Sequence, residues 1–414
     1  MAALDPGGSA PGTLGALRAN RNFRLLWIGQ VLSDLGTQIG TLAYPLLVLA
    51  LTHSAVTAGA VGTAASAAAF VVRLPAGALA DRLDRRRAMV VCDAGRTVAL
   101  ATLGALVATH TVVWPVVLVV ALLDRMGDTL FTPVSIAALP LIVPDEQLEA
   151  AWAVSEGRQY AANLVGPPLG GLLYGLGRAV PFVADAVSYG ISVLTSQRLA
   201  GNFATAPADG RRGLWTEAID GLRFLWHDSL LRTVLIQAPL INFAFTGAIF
   251  TVILGLRRNG VSAVVIGGAE AVIMVGGLVG AIVAPRIRSR VTVRQAILLI
   301  TVVGSLAMLA AAAAMPSPAI AVPLAVPLVL SPAANAALFA LVLRRAPAEM
   351  HGRVNNGILQ VATALAALAP LASGLVVERA SAGWAMAVFA IALAIVLPIA
   401  LSLPRVPGET GGDT

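Results

Sequence analysis

Seven charged side chains lie deep inside long apolar stretches of this sequence, where an ionised group is costly. A carboxyl group in such a place can alternate between charged and neutral forms, because burial raises its pKa and a neighbouring arginine lowers it. We expect the set to hold proton-coupling or substrate-binding groups, and some members to form a structural ion network instead. The seven residues are Asp34, Asp124, Arg125, Asp128, Glu156, Arg158 and Glu270.

The acids of this set differ in their neighbours along the chain. Asp34 lies in the middle of the first apolar stretch, with no arginine within one turn on that stretch, and is our first candidate for proton coupling. Asp128 is the second, and it shares a helix face with Asp124, but Arg125 lies one turn away and favours its charged form. Glu270 is the third. As the only acid within the apolar stretches of the second half, it could instead attract a cationic substrate.

Other polar residues in these stretches have simpler interpretations. Asp93 and Arg96 are one turn apart and should form a structural pair near the cytoplasmic end of their helix. Asp185 lies close to the outer end of its stretch, where we expect it to cap a helix, and Arg73 should extend to the inner membrane surface. The single cysteine, Cys92, excludes an internal disulfide and a cysteine-based metal cage. With four scattered histidines, the sequence predicts no metal and no other cofactor.

The apolar stretches dominate the composition. Of the 414 residues, 58% are hydrophobic and 12% are charged, whereas a soluble domain is about half apolar and a quarter charged. A run of about 20 apolar residues crosses the bilayer core as a helix, so we expect an all-α membrane protein with twelve transmembrane helices. Their approximate ranges are 23–50, 56–80, 88–109, 113–136, 148–175, 180–199, 231–256, 263–284, 293–315, 319–343, 354–376 and 382–403.

The arginines indicate how these helices are oriented. All 28 basic residues are arginine, and most lie at the termini and in alternate loops, which is the pattern of cytoplasmic segments. The pair Arg257 and Arg258 is the clearest exception. Both termini should therefore be cytoplasmic, as a disordered segment at 1–20 and a tail at 404–414. A nucleic-acid partner is excluded in spite of the net charge of +7, because no soluble basic face is present.

The two halves of the chain repeat at a constant offset of 203 residues. Gly77 matches Gly280, Pro167 matches Pro370, and further pairs in other loops and helices share this offset. Parallel repeats of this kind build two pseudo-symmetric six-helix bundles with a binding site between them. We place the bundles at 21–199 and 231–403. A cytoplasmic linker at 200–230 joins them and contains an amphipathic helix that begins near residue 215.

A charged segment at residues 77–87 separates the second and third apolar stretches. It resembles the loop signature of the major facilitator superfamily, although Asp84 stands where that family usually has a second glycine. The resemblance implies a gating latch, in which Asp81 pairs with arginines and with the start of the eleventh helix near Val354. The alternative is that these charges only hold the loop in the cytoplasm. The latch residues are Gly77, Asp81, Arg82, Arg85, Arg86, Arg87 and Arg353.

A finer resemblance covers nearly the whole chain and points to the facilitators that include the enterobactin exporter and macrolide efflux proteins. It rests on short motifs, among them residues 22–27, 131–133, 185–189, 221–224 and 352–354. The run at 166–171 resembles the helix-five signature of antiporters, which implies export, although small residues there also suit close helix packing. The residues of this run that we single out are Gly166, Pro167, Gly170 and Gly171.

These observations predict a secondary transporter and not an enzyme. We expect a monomer in the cytoplasmic membrane of a bacterium that exports a drug, siderophore or secondary metabolite by alternating access, driven by protons. A chain without lysine has no phosphate-binding loop for ATP. A proton-coupled uptake symporter remains one alternative. A transport-inactive sensor or scaffold is the other, although the linker is short for a signalling domain.

Overall fold

The computed structural model describes residues 11–203, 223–288, 292–346 and 351–401. Within these ranges the chain forms helices and short connections, with no strand. This confirms the all-α prediction. The first half consists of α1 (Pro11–Ala19), α2 (Arg21–Thr52), α3 (Ala55–Arg82), α4 (Arg85–Ala108), α5 (Trp114–Ala138), α6 (Asp145–Leu176) and α7 (Val180–Gln197).

The second half repeats this arrangement with more interruptions. Three of its predicted spans are each divided into two shorter helices. Two of these breaks lie near Pro327 and Pro370, whose backbone nitrogens cannot donate a helix hydrogen bond. Its helices are α8 (Ser229–Arg258), α9 (Ala263–Arg288), α10 (Val293–Ala314), α11 (Ala321–Leu328), α12 (Ser331–Arg345), α13 (His351–Ala364), α14 (Ala369–Arg379), α15 (Ala382–Ala394) and α16 (Val396–Leu401).

Nine helical segments of the described chain are long and apolar enough to cross a membrane. Three of the twelve predicted spans, α5, α6 and α7, are not among them. Helix α5 carries three charges in its interior, and the other two contain glycine, proline, amide and hydroxyl residues. These helices have the length of a span, and they hold many of the polar side chains that the first half buries.

The N-terminal segment differs from what the sequence suggested, and the linker is described only in part. Residues 11–19 form α1 and are not disordered, because Leu17 is buried against a cluster that includes Phe23 and Phe203. Most of the predicted amphipathic helix lies outside the described residues. Residues 223–227 of it are helical, and Leu225 is buried in a cluster with residues of the second half.

Asp84 has a local role that explains why an acid is tolerated in place of glycine. Its carboxylate accepts a hydrogen bond of 2.8 Å from the backbone N–H of Arg87, so it caps the N-terminus of α4. A side-chain cap of this kind satisfies one of the unpaired N–H groups at a helix start.

The two halves pack through two pairs of helices, α6 with α9 and α3 with α14. Backbones approach closely in both pairs because a glycine, which has no Cβ, lies at the contact. Such an atom on Gly267 would meet the backbone of Pro167, and one on Gly59 would meet the backbone of Pro370. Pro167 and Pro370 are equivalent in the sequence repeat, so the repeat is reproduced in the packing. We call this end of the bundle, where α3 and α9 begin, the outer end.

Candidate transport site

A cavity of about 310 Å³ lies between the two halves. Four helices of the first half (α2, α3, α5 and α6) and three of the second (α8, α9 and α14) contribute to its lining. Its surface is largely apolar, with Tyr44, Phe250, Ile273 and Met274 among the larger side chains. Such cavities, apolar with a few polar groups, are typical of small-molecule sites.

Three of the seven predicted charged residues line this cavity: Asp124, Arg125 and Glu270. Glu270 extends from α9 and is only 5% exposed. Within the described part of the chain it has neither a hydrogen bond nor an ion pair. The other two belong to the first half, and both have partners there.

Arg96 on α4 is the centre of a buried polar network in the first half. Its Nε donates a hydrogen bond of 2.8 Å to Asp124 on α5, and its guanidinium stacks on the Tyr189 ring, 3.7 Å from the centroid. Asp93 lies 3.6 Å from the same guanidinium, which confirms the predicted pair. Both members are fully buried. One arginine is thus shared by several acids, an arrangement that holds α4, α5 and α7 together.

Tyr44 connects this network with the cavity. Its side chain lines the cavity, and its hydroxyl donates a hydrogen bond of 3.3 Å to the second oxygen of Asp124. Asp124 also lines the cavity, so the network reaches the cavity wall through both side chains.

The expectation that Asp185 caps a helix is wrong. Helix α7 begins beyond Ala179 without a side-chain cap, and Asp185 is 1% exposed inside the first half. Ser188 donates to its carboxylate at 3.2 Å, and the opposing position on α2 is Gly36, where a Cβ would collide with that carboxylate. The absent side chain at Gly36 makes the space for the acid. Nothing in the linear sequence relates these two positions.

Asp34 and Asp128 lie in more open surroundings than the buried network. Asp34 on α2 forms an ion pair of 2.8 Å with Arg158 on α6, and the two side chains are 28% and 12% exposed. Asp34 thus has an arginine partner, supplied by a neighbouring helix and not by its own. Asp128 lies 3.6 Å from Arg125 and 3.8 Å from Arg96, so it has two arginine neighbours.

Two other predicted positions are more peripheral. Glu156 is exposed and does not line the cavity. Arg73 has a partner that the sequence did not indicate, because its guanidinium donates a hydrogen bond of 3.0 Å to Thr363 in the opposite half. It therefore joins α3 to α13 across the boundary between the halves.

The glycines of the predicted helix-five motif serve close packing on two sides of α6. A Cβ on Gly166 would meet Gln38, and one on Gly170 would meet the backbone of Ile39, both on α2. On the other side, Gly171 lies against the backbone of Ala263 on α9. The motif therefore brings α6 close to a helix of its own half and to a helix of the other half.

The predicted latch is described only in part. The side chains of Asp81, Arg82 and Arg353, and the surroundings of Gly77, lie outside what the structure describes. Arg86 donates a hydrogen bond of 3.0 Å to the carbonyl of Leu199, and the backbone N–H of Arg85 donates to the carbonyl of Phe203. Both contacts fix the loop to the end of α7, and Arg87 is exposed.

At the outer end a carboxylate of the second half caps a helix of the first. Glu378 on α14 accepts hydrogen bonds from the Ser54 hydroxyl at 2.7 Å and from the Val56 backbone N–H at 2.8 Å. The positive end of a helix favours an anion at this place. This contact adds a polar clasp to the glycine packing between the halves.

Comparisons with known proteins agree on one family. A family model described as Major Facilitator Superfamily matches residues 26–368. The multidrug efflux pump Tap of Mycobacterium tuberculosis is 28% identical over 405 residues, which cover 92% of this chain and 93% of that protein. The enterobactin exporter EntS of Salmonella choleraesuis is 26% identical over 356 residues, covering 83% of this chain and 82% of the exporter.

Two other matches are informative about extent and fold. A Tap pump of Mycolicibacterium fortuitum is 30% identical over 224 residues, and this match spans about half of each protein, 51% of this chain and 54% of the relative. A solved bacterial homologue of the human lysosomal transporter Spinster, in an inward-facing and unoccupied conformation, is similar in fold. Its TM-score is 0.72 at 15% identity, with 97% of this chain and 100% of that one covered.

Proposed function

The chain belongs to the major facilitator superfamily and is a membrane transporter, not an enzyme, and we propose that it exports hydrophobic or amphipathic small molecules in exchange for protons. The observation that carries the proposal is the largely apolar cavity between the two halves, at the position where such repeats bind substrate. The names of the relatives, a multidrug efflux pump and an enterobactin exporter, support the outward direction.

Alternating access gives this cavity a mechanism. The halves meet at the outer end through glycine packing and the Glu378 clasp, so these contacts must part for substrate to leave outward. A rocking motion of one bundle against the other would expose the cavity to each side in turn. No nucleotide takes part, and the energy comes from proton entry.

Asp34 is the coupling group that we propose. The Asp34 side chain is 28% exposed, although the oxygen paired with Arg158 is buried, so a proton can reach the carboxylate and compete with the guanidinium. Protonation from outside would release Arg158 and accompany substrate release, and loss of the proton to the cytoplasm would restore the pair. Asp128, which has two arginine neighbours, is the second choice.

The latch is proposed from the sequence motif. We expect Asp81→Asn to leave the protein folded and in the membrane but to lower transport sharply, because losing the acid weakens closure on the cytoplasmic side. Crosslinking between the cytoplasmic faces of the two halves measures this shift. Normal transport with unchanged crosslinking would count against the latch.

The proposed location is the cytoplasmic membrane of a bacterium, with a single chain as the working unit and both termini inside. A phosphatase fused after Thr414 should be inactive in intact cells. Activity of that fusion from outside the cell would contradict the topology.

Transport by purified protein tests the function directly. Proteoliposomes with an acidic interior, and with the cytoplasmic face of the protein outward, should accumulate amphipathic dyes while protons leave. A panel of cationic and neutral dyes covers the range of substrates. A symporter would instead drive preloaded dye outward with the protons, and a sensor or scaffold would leave every dye unmoved.

A further inference from the structure

Glu270 is a buried acid that the proton-coupling step does not use. Its carboxylate faces the cavity from α9 and is 5% exposed. Within the described ranges no hydrogen-bond donor or arginine contacts it, and burial is the only effect on the ionisation of its carboxyl group. A buried carboxylate without a partner is strongly unfavourable and takes up a proton instead. A positive group in the cavity would stabilise its charged form.

The other charges at the cavity wall already have partners. Asp124 is bonded to Arg96, and Arg125 lies 3.6 Å from Asp128, all on helices of the first half. Glu270 is thus the one cavity-lining charge without a counter-ion among the described residues. It is also the one contributed by the second half, opposite the paired charges.

The rest of the lining restricts what could supply that positive charge. Around the acid the wall is built mainly from apolar side chains such as Ile253, Ile273 and Met274. A small hydrated cation would lose its water there without gaining enough oxygen ligands. An organic cation with an apolar body would bury that body against the wall and neutralise the carboxylate. The aromatic rings of Tyr44 and Phe250 are also suited to cations.

Resting on the proposed function, we infer that the preferred substrates are lipophilic organic cations, with a protonated amine or quaternary ammonium group bound by Glu270. The cation lies between the halves, so a single ligand contacts both of them. Binding of the cation therefore stabilises the charged form of the carboxylate, which is unfavourable in the empty cavity.

A matched pair of probes isolates the effect of charge. Trimethylammonium-diphenylhexatriene and diphenylhexatriene differ only in the quaternary ammonium group. Their binding is measured by fluorescence with the full-length protein in lipid nanodiscs, and empty nanodiscs supply the background. We expect the wild-type protein to bind the cation about tenfold or more tightly than the neutral probe.

Glu270→Gln removes the charge with almost no change in shape, so it should abolish this preference and leave neutral-probe binding intact. Glu270→Asp should retain part of it. Because glutamine is close in shape and polarity to the neutral acid of the empty site, the thermal stability of the variant should not fall. Glu149→Gln, on the exposed start of α6, is the matched control and should bind like the wild type.

The outcomes separate this inference from the function on which it rests. Equal binding of both probes by the wild type, or a preference that survives in Glu270→Gln, overturns the inference. So does a Glu270→Gln variant that changes only the pH dependence of neutral-dye export, since the acid would then carry a proton. Failure of the wild type to export any dye of the panel overturns the proposed function itself.

Discussion

Gly171 and Gly374 occupy equivalent positions in the two halves, and each lies against the first residue of a helix in the opposite half. Gly171 on α6 meets the carbonyl of Ala263 at the start of α9, and Gly374 on α14 meets the carbonyl of Ala55 at the start of α3. The outer end is thus closed by the same contact made twice. Because the neighbours are backbone atoms, neither contact can absorb a larger side chain without separation of the halves.

Gly171→Val should open the outer end. The added side chain would overlap the backbone of α9, and overpacking of this kind costs about 1–3 kcal/mol. The population should shift towards molecules in which the halves are apart. Spin labels at Thr111 and Asn259, both exposed at the outer end, are attached after Cys92→Ser removes the native thiol. Double electron–electron resonance should then show a longer distance between the two labels.

Gly157→Val is the control for this experiment. It lies on the same helix, and a Cβ at Gly157 would meet nothing within 4 Å. It makes the same change in helix propensity without the overlap. If Gly171→Val gives the same distance distribution as Gly157→Val, the glycine contact does not hold the outer end closed.

Glu378→Gln should loosen the same end by a different mechanism. The glutamine keeps the shape of the side chain but loses the charge that the N-terminus of α3 favours. An exposed anion at such a place is worth about 1 kcal/mol or less, so the shift should be smaller than that of Gly171→Val. The same labels measure it. A high salt concentration should reduce the difference between variant and wild type, and a difference that salt leaves unchanged would argue against an electrostatic clasp.

Asp124→Asn should destabilise the first half. The substitution leaves the buried Arg96 without its closest counter-charge, and breaking a buried pair costs about 3–5 kcal/mol. A lower denaturation midpoint in detergent would show it. Asp128→Asn is the control, because Asp128 is 30% exposed and 3.8 Å from Arg96, so it should cost about 1 kcal/mol or less. Equal losses from the two variants would mean that Asp124 does not support the network.

The helices were predictable from sequence, and the polar partners were not. Runs of apolar residues locate the helices to within a few positions, because each must satisfy its own backbone hydrogen bonds in the bilayer. The pairing of Arg96 with Asp124 depends on how two helices are rotated about their axes, which no local pattern encodes. The Asp93 pair was predictable, because both residues share one helix.

The expectations for Asp185 and Arg73 missed their partners for the same physical reason. Asp185 appeared close enough to a helix end to serve as a cap, but a glycine on another helix provides a buried space for it. Arg73 was expected to extend to the surface, but Thr363 of the opposite half lies within hydrogen-bonding distance. In both cases the deciding atom belongs to a helix remote in sequence. The repeat at an offset of 203 residues succeeded because it concerns whole helices and their order.

The ion pair between Asp34 and Arg158 gives the most direct test of coupling. Both residues belong to the first half, so rocking of the bundles does not by itself separate them, and a proton must do so. Asp34→Asn cannot take up that proton. We expect it to abolish export against a gradient in proteoliposomes while downhill exchange of dye remains measurable, at matched protein amounts.

Arg158→Gln is the companion variant for this last prediction. It retains the carboxyl group that binds the proton and removes only the competing guanidinium, so uphill export should persist with an altered pH dependence. A merely structural pair predicts something else: both variants should lose expression and stability to a similar extent, with no difference in coupling between them. If Asp34→Asn still concentrates dye with the pH dependence of the wild type, Asp34 is not the coupling group. The same assay should then be applied to Asp128→Asn, whose carboxylate lies between Arg96 and Arg125.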